Sequence, residues 1–586
     1  MDAQKLDALR HSAAHMLAAA VLELYPGTKL AIGPTIENGF YYDFKFPDGV
    51  SLSENDLPKI EEKMKEIAKG GHEFKRKEVT VPAAKDFEKD QPFKLELIDE
   101  FAKESKTLTL YESGPFTDLC RGGHAENTKE IPLDGLKLQK LAGAYWRGSE
   151  KNLMLTRIYG LLFATKKELN EHLAMLEEAK KRDHKKLGKE LDLFTFSETV
   201  GKGLPLWTEK GATIRRELER FIVDEEIRRG YLHVRTPDIA KLDLYKKSGH
   251  YPHYKDSMYA PIVIEEEEFM LRPMTCPHHF ELYLRTPHSY RELPMRIAEL
   301  AQLYRYEQSG ELSGLQRVRT FCLADAHIIC ASEEQAVAEI GKALDLIEYI
   351  AGVFGLVHGT EYWYRFSLGD RANSEKYYKN DAGWDKAENL LRAHLKFRNS
   401  HFVEAPGEAA FYGPKVDIQM KNVNGKEDTA FTVQYDLCMP ERFDLKYNAE
   451  DGTEKRTFVV HRSSIGAIER ITAFLIEHYA GAFPLWLSPV QVVLTPVSEK
   501  HVDGAKKLME EFKKVGIRVA IDDADESVGK KVRNAAKQKI PYIVVVGDKE
   551  IAGEDWMIRV RGQEDQMKMS KADFVAKVLL EIKERV

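Results

Sequence analysis

The chain has 586 residues, 43% of them apolar and 31% charged, with a formal net charge of −7. That length suits about four domains with buried cores, and the acidic balance excludes a global polycation, so any nucleic-acid contact must come from local patches. The five cysteines, Cys120, Cys276, Cys322, Cys330 and Cys438, form neither an even set nor a compact framework, which excludes a disulfide scaffold; with no basic-then-apolar leader and no membrane-length apolar run, a cytoplasmic protein without a membrane partner is expected.

In the first block, 1–165, HSAAH spaces His11 and His15 to share one face of a helix-like run, and DLCRGGH places Cys120 and His124 four apart. The spacing alone leaves a zinc site open. KKELNEHLAMLEEAKKRDHKKLGKEL follows from residue 166 and reads as one long polar helix, Leu173, Met175 and Leu176 on one face and its end basic, serving as an interdomain strut. From 191 to 487, helices mix with the runs FMLRPM, GEAAFYGPKVDIQM and TFVVHRS, an order that predicts an antiparallel sheet flanked by helices. Within it, GYLHVRTPDI closes a helix-like segment with a strand and Pro237.

Residues 304–327, YRYEQSGELSGLQRVRTFCLADAH, set arginines around a Gly-rich turn between two extended runs. Arg305 precedes the turn; Arg317 and Arg319 alternate after it and are expected on the same face of a strand. Guanidinium forks grip phosphate or carboxylate in a bidentate way, although a salt-bridged hairpin would use the same residues. GAIER at 466–470 opens an apolar helical run that offers Arg470 to the same phosphates. No GxxxxGK[ST] phosphate loop occurs.

Residues 481–489, GAFPLWLSP, read as a linker. After it, VQVVLTP, KKLMEEFKKVG, IRVAID, PYIVVVGD and KADFVAKVLLEIKER alternate strand with helix, predicting a three-layer α/β domain with a mostly parallel sheet. Its middle helix carries Lys530, Lys531, Arg533, Lys537 and Lys539 without an intervening acid, which on composition is a solvated face.

The pieces RPMTCPHH, RVRTFCLADAHIIC, GEAAFYGPK, TVQYDL and VVHRSSIGAIER, preceded by HSAAH, NGFYYDF, CRGGH and AGAYWRG, resemble bacterial threonyl-tRNA synthetases. GYLHVRTPDI, 304–327 and 466–470 resemble the three signature motifs of class II aminoacyl-tRNA synthetases. The resemblance covers nearly the whole chain in order. It implies an α+β multidomain protein: an N-terminal α+β editing domain at 1–165, a helical linker at 166–190, an antiparallel-sheet class II catalytic core at 191–487 and a C-terminal α/β anticodon-binding domain at 488–586. The small β-rich domain that usually precedes the editing domain is not expected, because HSAAH begins at residue 11. The implied function is ATP-dependent activation of L-threonine, transfer to tRNA(Thr) and hydrolytic editing of mischarged seryl-tRNA(Thr), by a homodimer joined through the first motif.

Residue by residue, the resemblance implies that Arg305 holds the α-phosphate and the amino-acid carboxylate. Arg317 and Arg470 take the γ-phosphate of a bent, Mg2+-bound ATP, and Phe321 stacks on adenine. Cys276, His327 and His461 would bind one zinc ion per subunit, leaving positions open for the amine and hydroxyl of threonine, so that valine is rejected for want of a hydroxyl. Asp325 would accept from that hydroxyl, Tyr412 and Gln434 complete the pocket, and Lys415 serve the reacting end or the tRNA terminus. Leu323 and Thr429 stand where glutamines are often found and Ala467 where a serine is, so the carboxylate and adenosine contacts of those side chains do not carry over.

Serine, one methyl smaller, is discriminated by only about 1–3 kcal/mol, which calls for a second, hydrolytic sieve. His11, His15, Tyr42, Lys94, Asp118, Cys120 and His124 would line it around a positioned water without a structural metal, Lys94 orienting water or ester and Asp118 reading the serine amine or hydroxyl. Anticodon contacts would fall at Glu526, Lys530, Arg533, Arg559 and Arg561. A freestanding metal-dependent hydrolase would instead place metal at the N-terminal block. A non-catalytic paralogue would have lost phosphate arginines or zinc ligands, all of which stand here.

Overall fold

The computed structural model describes residues 2–104 and 107–586, which pack as two units, Met1–Glu177 and Glu178–Val586. In the first, the helix Ala3–Leu24 buries Ala13, Ala14, Ala18 and Ala20 completely, small side chains that let it lie close against an antiparallel sheet. That sheet orders its strands Lys29–Leu30, Gly39–Lys45, Met154–Leu162 and Leu136–Tyr145, with Thr35–Ile36 on the side. A second helix, Leu57–Gly70, turns Leu57, Ile60, Met64 and Ala68 inward at helical spacing and stops at Gly71, whose φ of 69° suits only a residue without Cβ. A small antiparallel sheet of Phe74–Val79, Leu108–Ser113 and Phe116–Leu119 carries Asp118 and delivers Cys120.

The second unit is built on an eight-stranded sheet in the order Leu232–His233, Met295–Tyr304, Thr320–Cys330, Phe458–Ala467, Glu427–Asp436, Lys415–Lys421, Tyr362–Leu368 and Phe402–Pro406. It is antiparallel except for the pair at each edge. In TFCLADAHIIC, Cys322, Ala324, Ala326, Ile328 and Cys330 enter the largest core, packed against the helices Glu209–Arg228, Glu333–Val353 and Ile468–His478. Period-2 alternation therefore sends Phe321, Leu323, Asp325 and His327 to the other face, which is the wall of the main cavity.

Three expectations need correction. The strut is two helices, Lys166–Arg182 and His184–Glu190, because the Asp183 carboxylate accepts the main-chain N–H groups of Lys185 and Lys186 and starts a new helix. Residues 481–489 are no free linker: Phe483, Trp486 and Leu487 enter the hydrophobic core behind the eight-stranded sheet and Leu485 the C-terminal one, since apolar side chains outweigh the two prolines. The C-terminal sheet, Val519–Ile521, Val492–Pro496, Tyr542–Val546, Trp556–Val560 and Gln566–Met569, is parallel only in its first three strands; the last two form a meander that helix–strand alternation could not announce.

The packed joint is pinned by arginines. Arg561 donates to the carbonyls of Lys539 and Phe483, each at 2.6 Å, and Arg518 to those of Trp486 at 2.6 Å and Ser488 at 2.9 Å. Arg561→Ala is thus expected to cost about 2 kcal/mol or more, the value of charge-assisted hydrogen bonds to buried carbonyls, read as a lower denaturant midpoint. Among the described residues no helix is long and apolar enough to cross a membrane.

Candidate active site and metal centre

Two rows of facing residues cross the sheet. Register pairs His327 with His461, His461 with Gln434, and Gln434 with Lys415; one row along, Asp325 faces Ser463, Ser463 faces Thr432, and Thr432 faces Asp417. Cross-strand partners share a face, so the first three residues of each row, some more than a hundred positions apart, line one cavity of about 230 Å3. Cys276 reaches it from the first turn of the helix Cys276–Leu284. Tyr412 closes the side, its hydroxyl donating to Gln434 Oε1 and its ring stacked on His461 at 4.8 Å.

The ligand atoms of Cys276, His327 and His461 all lie within 4.8 Å of one another, and all three residues are buried. His461 Nε2 meets Asp436 Oδ2 at 2.6 Å, His327 Nδ1 meets His279 Nδ1 at 2.8 Å, and His279 Nε2 continues to Glu299 Oε2 at 3.3 Å. Each imidazole therefore has one nitrogen fixed by an outer partner and the other free, the arrangement that orients histidines toward a metal. Burial, with Asp325 and Asp436 close by, pushes the Cys276 thiol well up, and burial above all holds His327 well below the ordinary imidazole value. A neutral imidazole is ready to ligate; the thiol would release its proton on binding a cation. One soft sulfur and two imidazoles, with Asp325 alongside, fit zinc with room left for a ligand.

Arg305 lies over the Phe321 ring at 5.0 Å and donates to Met274 Sδ at 3.6 Å. Among the described residues it forms no ion pair, although Glu307 and Asp325 line the same cavity. Arg470 donates to the carbonyls of Gln316 at 3.2 Å and Thr429 at 3.0 Å and lines the same cavity. Arg317 belongs to the loop before the strand Thr320–Cys330 and pairs with Glu307 at 2.7 Å and Glu311 at 3.3 Å. Arg319 turns elsewhere, to the carbonyls of Glu307 and Lys202. The expected shared strand face for Arg317 and Arg319 is therefore absent: 305–319 is loop, because glycines and a short 3-10 turn at Ser309–Glu311 interrupt the strands.

Lys415 is not on the cavity wall; its Nζ pairs with Asp417 at 2.9 Å. Asp417, fully buried, also takes Arg365 at 3.1 Å, Ser367 at 2.8 Å and Thr432 at 3.0 Å. Sequence reading missed Asp417, Thr432, Ser463, His279 and Asp436. Two-residue spacing from Lys415, Gln434 and His461 was the available signal for Asp417, Thr432, Asp436 and Ser463; nothing singled out His279 beside His278.

In the first unit a cavity of about 400 Å3 carries His11, His15, Tyr42, Lys94, Asp118 and Cys120 on its wall. Cys120 Sγ lies 3.2 Å from His11 Nε2 and 3.1 Å from His124 Nε2. These three also sit within metal-binding distance of one another, whereas His15 stands apart, its edge against Phe116 at 4.6 Å. Burial lowers His15 to about 4 and His124 to about 2, and raises the Cys120 thiol to about 11, so histidines and thiol are neutral near pH 7. Asp118 pairs with Lys94 at 2.6 Å and accepts the Tyr42 hydroxyl at 2.6 Å.

At the C-terminal end, Arg533 and Arg559 are exposed and Glu526 pairs with Lys530 at 2.7 Å. Arg561 is committed to the joint, which argues against an anticodon role for it. Lys531, counted with the solvated face, is buried and donates to the Pro496 carbonyl at 3.2 Å.

An antiparallel sheet with phosphate-ready arginines entering from a hairpin loop and a following helix is the architecture of a class II aminoacyl-tRNA synthetase. Residues 259–479 match the tRNA synthetase class II core domain (G, H, P, S and T), 491–581 the anticodon binding domain, and 108–159 the threonyl and alanyl tRNA synthetase second additional domain. The chain is 49% identical over 583 residues to a threonine–tRNA ligase of Geobacillus sp. (strain WCH70), covering 99% of this chain and 89% of that one. It is 48% identical over 582 residues to that of Staphylococcus carnosus (strain TM300), with the same coverage. A crystal structure titled as the RNA binding domain of threonyl-tRNA synthetase from Cryptosporidium parvum Iowa II superposes with TM-score 0.64 at 34% identity, over 68% of this chain and 98% of that one. The chain belongs to the bacterial threonyl-tRNA synthetase family.

Proposed function

We propose that the chain joins L-threonine to tRNA(Thr) at the expense of Mg2+-ATP, and hydrolyses seryl-tRNA(Thr) in its first unit. The observation that carries the choice of amino acid is the convergence of Cys276, His327 and His461 beside Asp325 and an unpaired Arg305. Those three residues would hold zinc, which would supply a Lewis acid able to take a substrate amine and hydroxyl. Asp325, two residues from His327 on the same strand face, accepts the substrate hydroxyl proton in a hydrogen bond, and Tyr412 and Gln434 shape the remaining wall.

Arg305 takes the threonine carboxylate and the α-phosphate, neutralising charge as a carboxylate oxygen attacks the α-phosphorus and pyrophosphate leaves in line. Arg470 and Arg317 hold the γ-phosphate; Arg317 exchanges Glu307 and Glu311 for phosphate as ATP enters. Phe321 offers its ring to adenine. Lys415, steadied by Asp417, sits one strand beyond Gln434, suited to the tRNA terminus. In the first unit, neutral His11, on the cavity wall, can accept a proton from the hydrolytic water.

Residues 1–165, 166–190, 191–487 and 488–586 are assigned as editing domain, linker, catalytic core and anticodon-binding domain, the last contacting RNA through Lys530, Arg533 and Arg559 near Glu526. Exposed Ile227, Leu232 and Ile239 beside the first motif support a homodimer there. The place of action is the cytoplasm. Pyrophosphate exchange dependent on threonine, serine and valine, with and without chelator, tests the reading. Threonine and serine should support exchange, valine should not, and chelation should abolish it; exchange with valine equal to that with threonine would refute it.

A further inference from the structure

The first unit holds a buried carboxyl that hydrolysis as described leaves without a task. Glu88 follows the helix Val81–Phe87 and is 3% exposed. Its Oε1 accepts the main-chain N–H of Leu119 at 3.2 Å, and Lys94 Nζ donates to the carbonyl of the same residue at 3.4 Å. Glu88 and Lys94 thus flank one residue of the strand Phe116–Leu119. Lys94 and Asp118, 3% and 4% exposed, complete a cluster of two carboxyls and one ammonium.

Both Asp118 oxygens are engaged in this state, one facing Lys94 and the other accepting from Tyr42. Its charge is offset by Lys94, so a serine ammonium read by Asp118 must compete with Lys94 for that carboxylate. Glu88 is the carboxyl left without a cation. Burial, then the charge of Asp118, pushes it up to about 7, and the other titratable groups around the cluster, His11, His15, Cys120 and Tyr42, are kept neutral chiefly by burial. The Leu119 N–H needs only an acceptor, which a neutral amide would supply, so folding alone does not call for a charge at this position.

We propose that Glu88 is a positioning residue that sets the specificity of the editing pocket: it is the counter-ion to which Lys94 turns when the free α-ammonium of an aminoacyl ester takes the place of Lys94 on Asp118. This rests on the editing reading of that pocket. The ligand class is an aminoacyl ester with an unblocked amine, and an N-acylated ester, having no ammonium to exchange for Lys94, is refused.

The test compares deacylation of seryl-tRNA(Thr) and N-acetyl-seryl-tRNA(Thr) by the full chain and by Glu88→Gln and Glu88→Asp, with aminoacylation by each protein as the check on folding. The unaltered chain should prefer the free-amine ester. Glu88→Gln should raise KM for that ester about tenfold, the factor that 1.4 kcal/mol of lost binding corresponds to, leave kcat little changed and erase the preference, while Glu88→Asp restores most of both. An unchanged KM with the preference intact in Glu88→Gln would overturn the proposal and leave editing standing. An unaltered chain that hydrolyses neither ester would overturn the editing reading and the proposal with it.

Discussion

Replacing Cys276 with serine is expected to strip the metal and lower threonine-dependent pyrophosphate exchange by about a hundredfold or more, since loss of even an outer partner of a metal ligand typically costs ten- to a hundredfold. Valine-dependent exchange, negligible at the start, should change little, so the threonine-to-valine ratio collapses toward the modest value that a hydrophobic pocket gives to near-isosteres. The reason is the donor set. Of the three convergent residues only Cys276 supplies a thiolate, and it enters from the helix Cys276–Leu284 while both histidines come from neighbouring strands. A hydroxyl in its place is a harder and far less acidic donor. Because the buried thiol holds its proton when no cation is present, metal affinity should also fall as pH falls, by about tenfold per unit for one proton displaced. Equilibrium dialysis against zinc at several pH values checks the slope.

Arg305→Ala should be the most damaging change among the phosphate ligands, with kcat/KM for adenylate formation lowered by about a hundred- to a thousandfold, the cost of removing one preorganised donor from developing charge. Among the described residues Arg305 forms no ion pair and has side-chain contacts to Met274 and Phe321 to lose, so thermal stability should largely hold while activity fails. Arg317→Ala should be milder, because its guanidinium is already shared with Glu307 and Glu311 and sits at the cavity mouth. Lysine at 305 should recover only part of the loss: it keeps the charge and forfeits the fork that spans two oxygens. Pre-steady-state adenylate formation separates this from any effect on transfer to tRNA.

Much of the site was legible because its chemistry sits on strands. Phe321, Asp325 and His327 alternate in TFCLADAH, and once their strand is assigned, period 2 places them on one face. The pairing of that strand with Phe458–Ala467 and of the latter with Glu427–Asp436 was beyond local reading, since it joins residues over a hundred positions apart; only the resemblance brought Cys276, His327 and His461 together. Arg317 and Arg319 show the limit of pattern. Their alternation was real, but the chain there is a loop whose path is set by glycines and by Glu307, so alternation did not mean a shared face. The stretch 481–489 failed differently: its prolines and glycine read as punctuation, while Phe483, Trp486 and Leu487 were free to pack. Glu88 could not be found from sequence at all, because a lone glutamate after a short helix is indistinguishable from a solvated one until burial is known.

Anomalous diffraction at the zinc edge from crystals of the metal-replete chain tests the central claim most directly. A single strong peak per subunit bounded by Cys276 Sγ and one ring nitrogen each of His327 and His461 is the predicted result. No peak there, or a peak only among His11, Cys120 and His124, would contradict it.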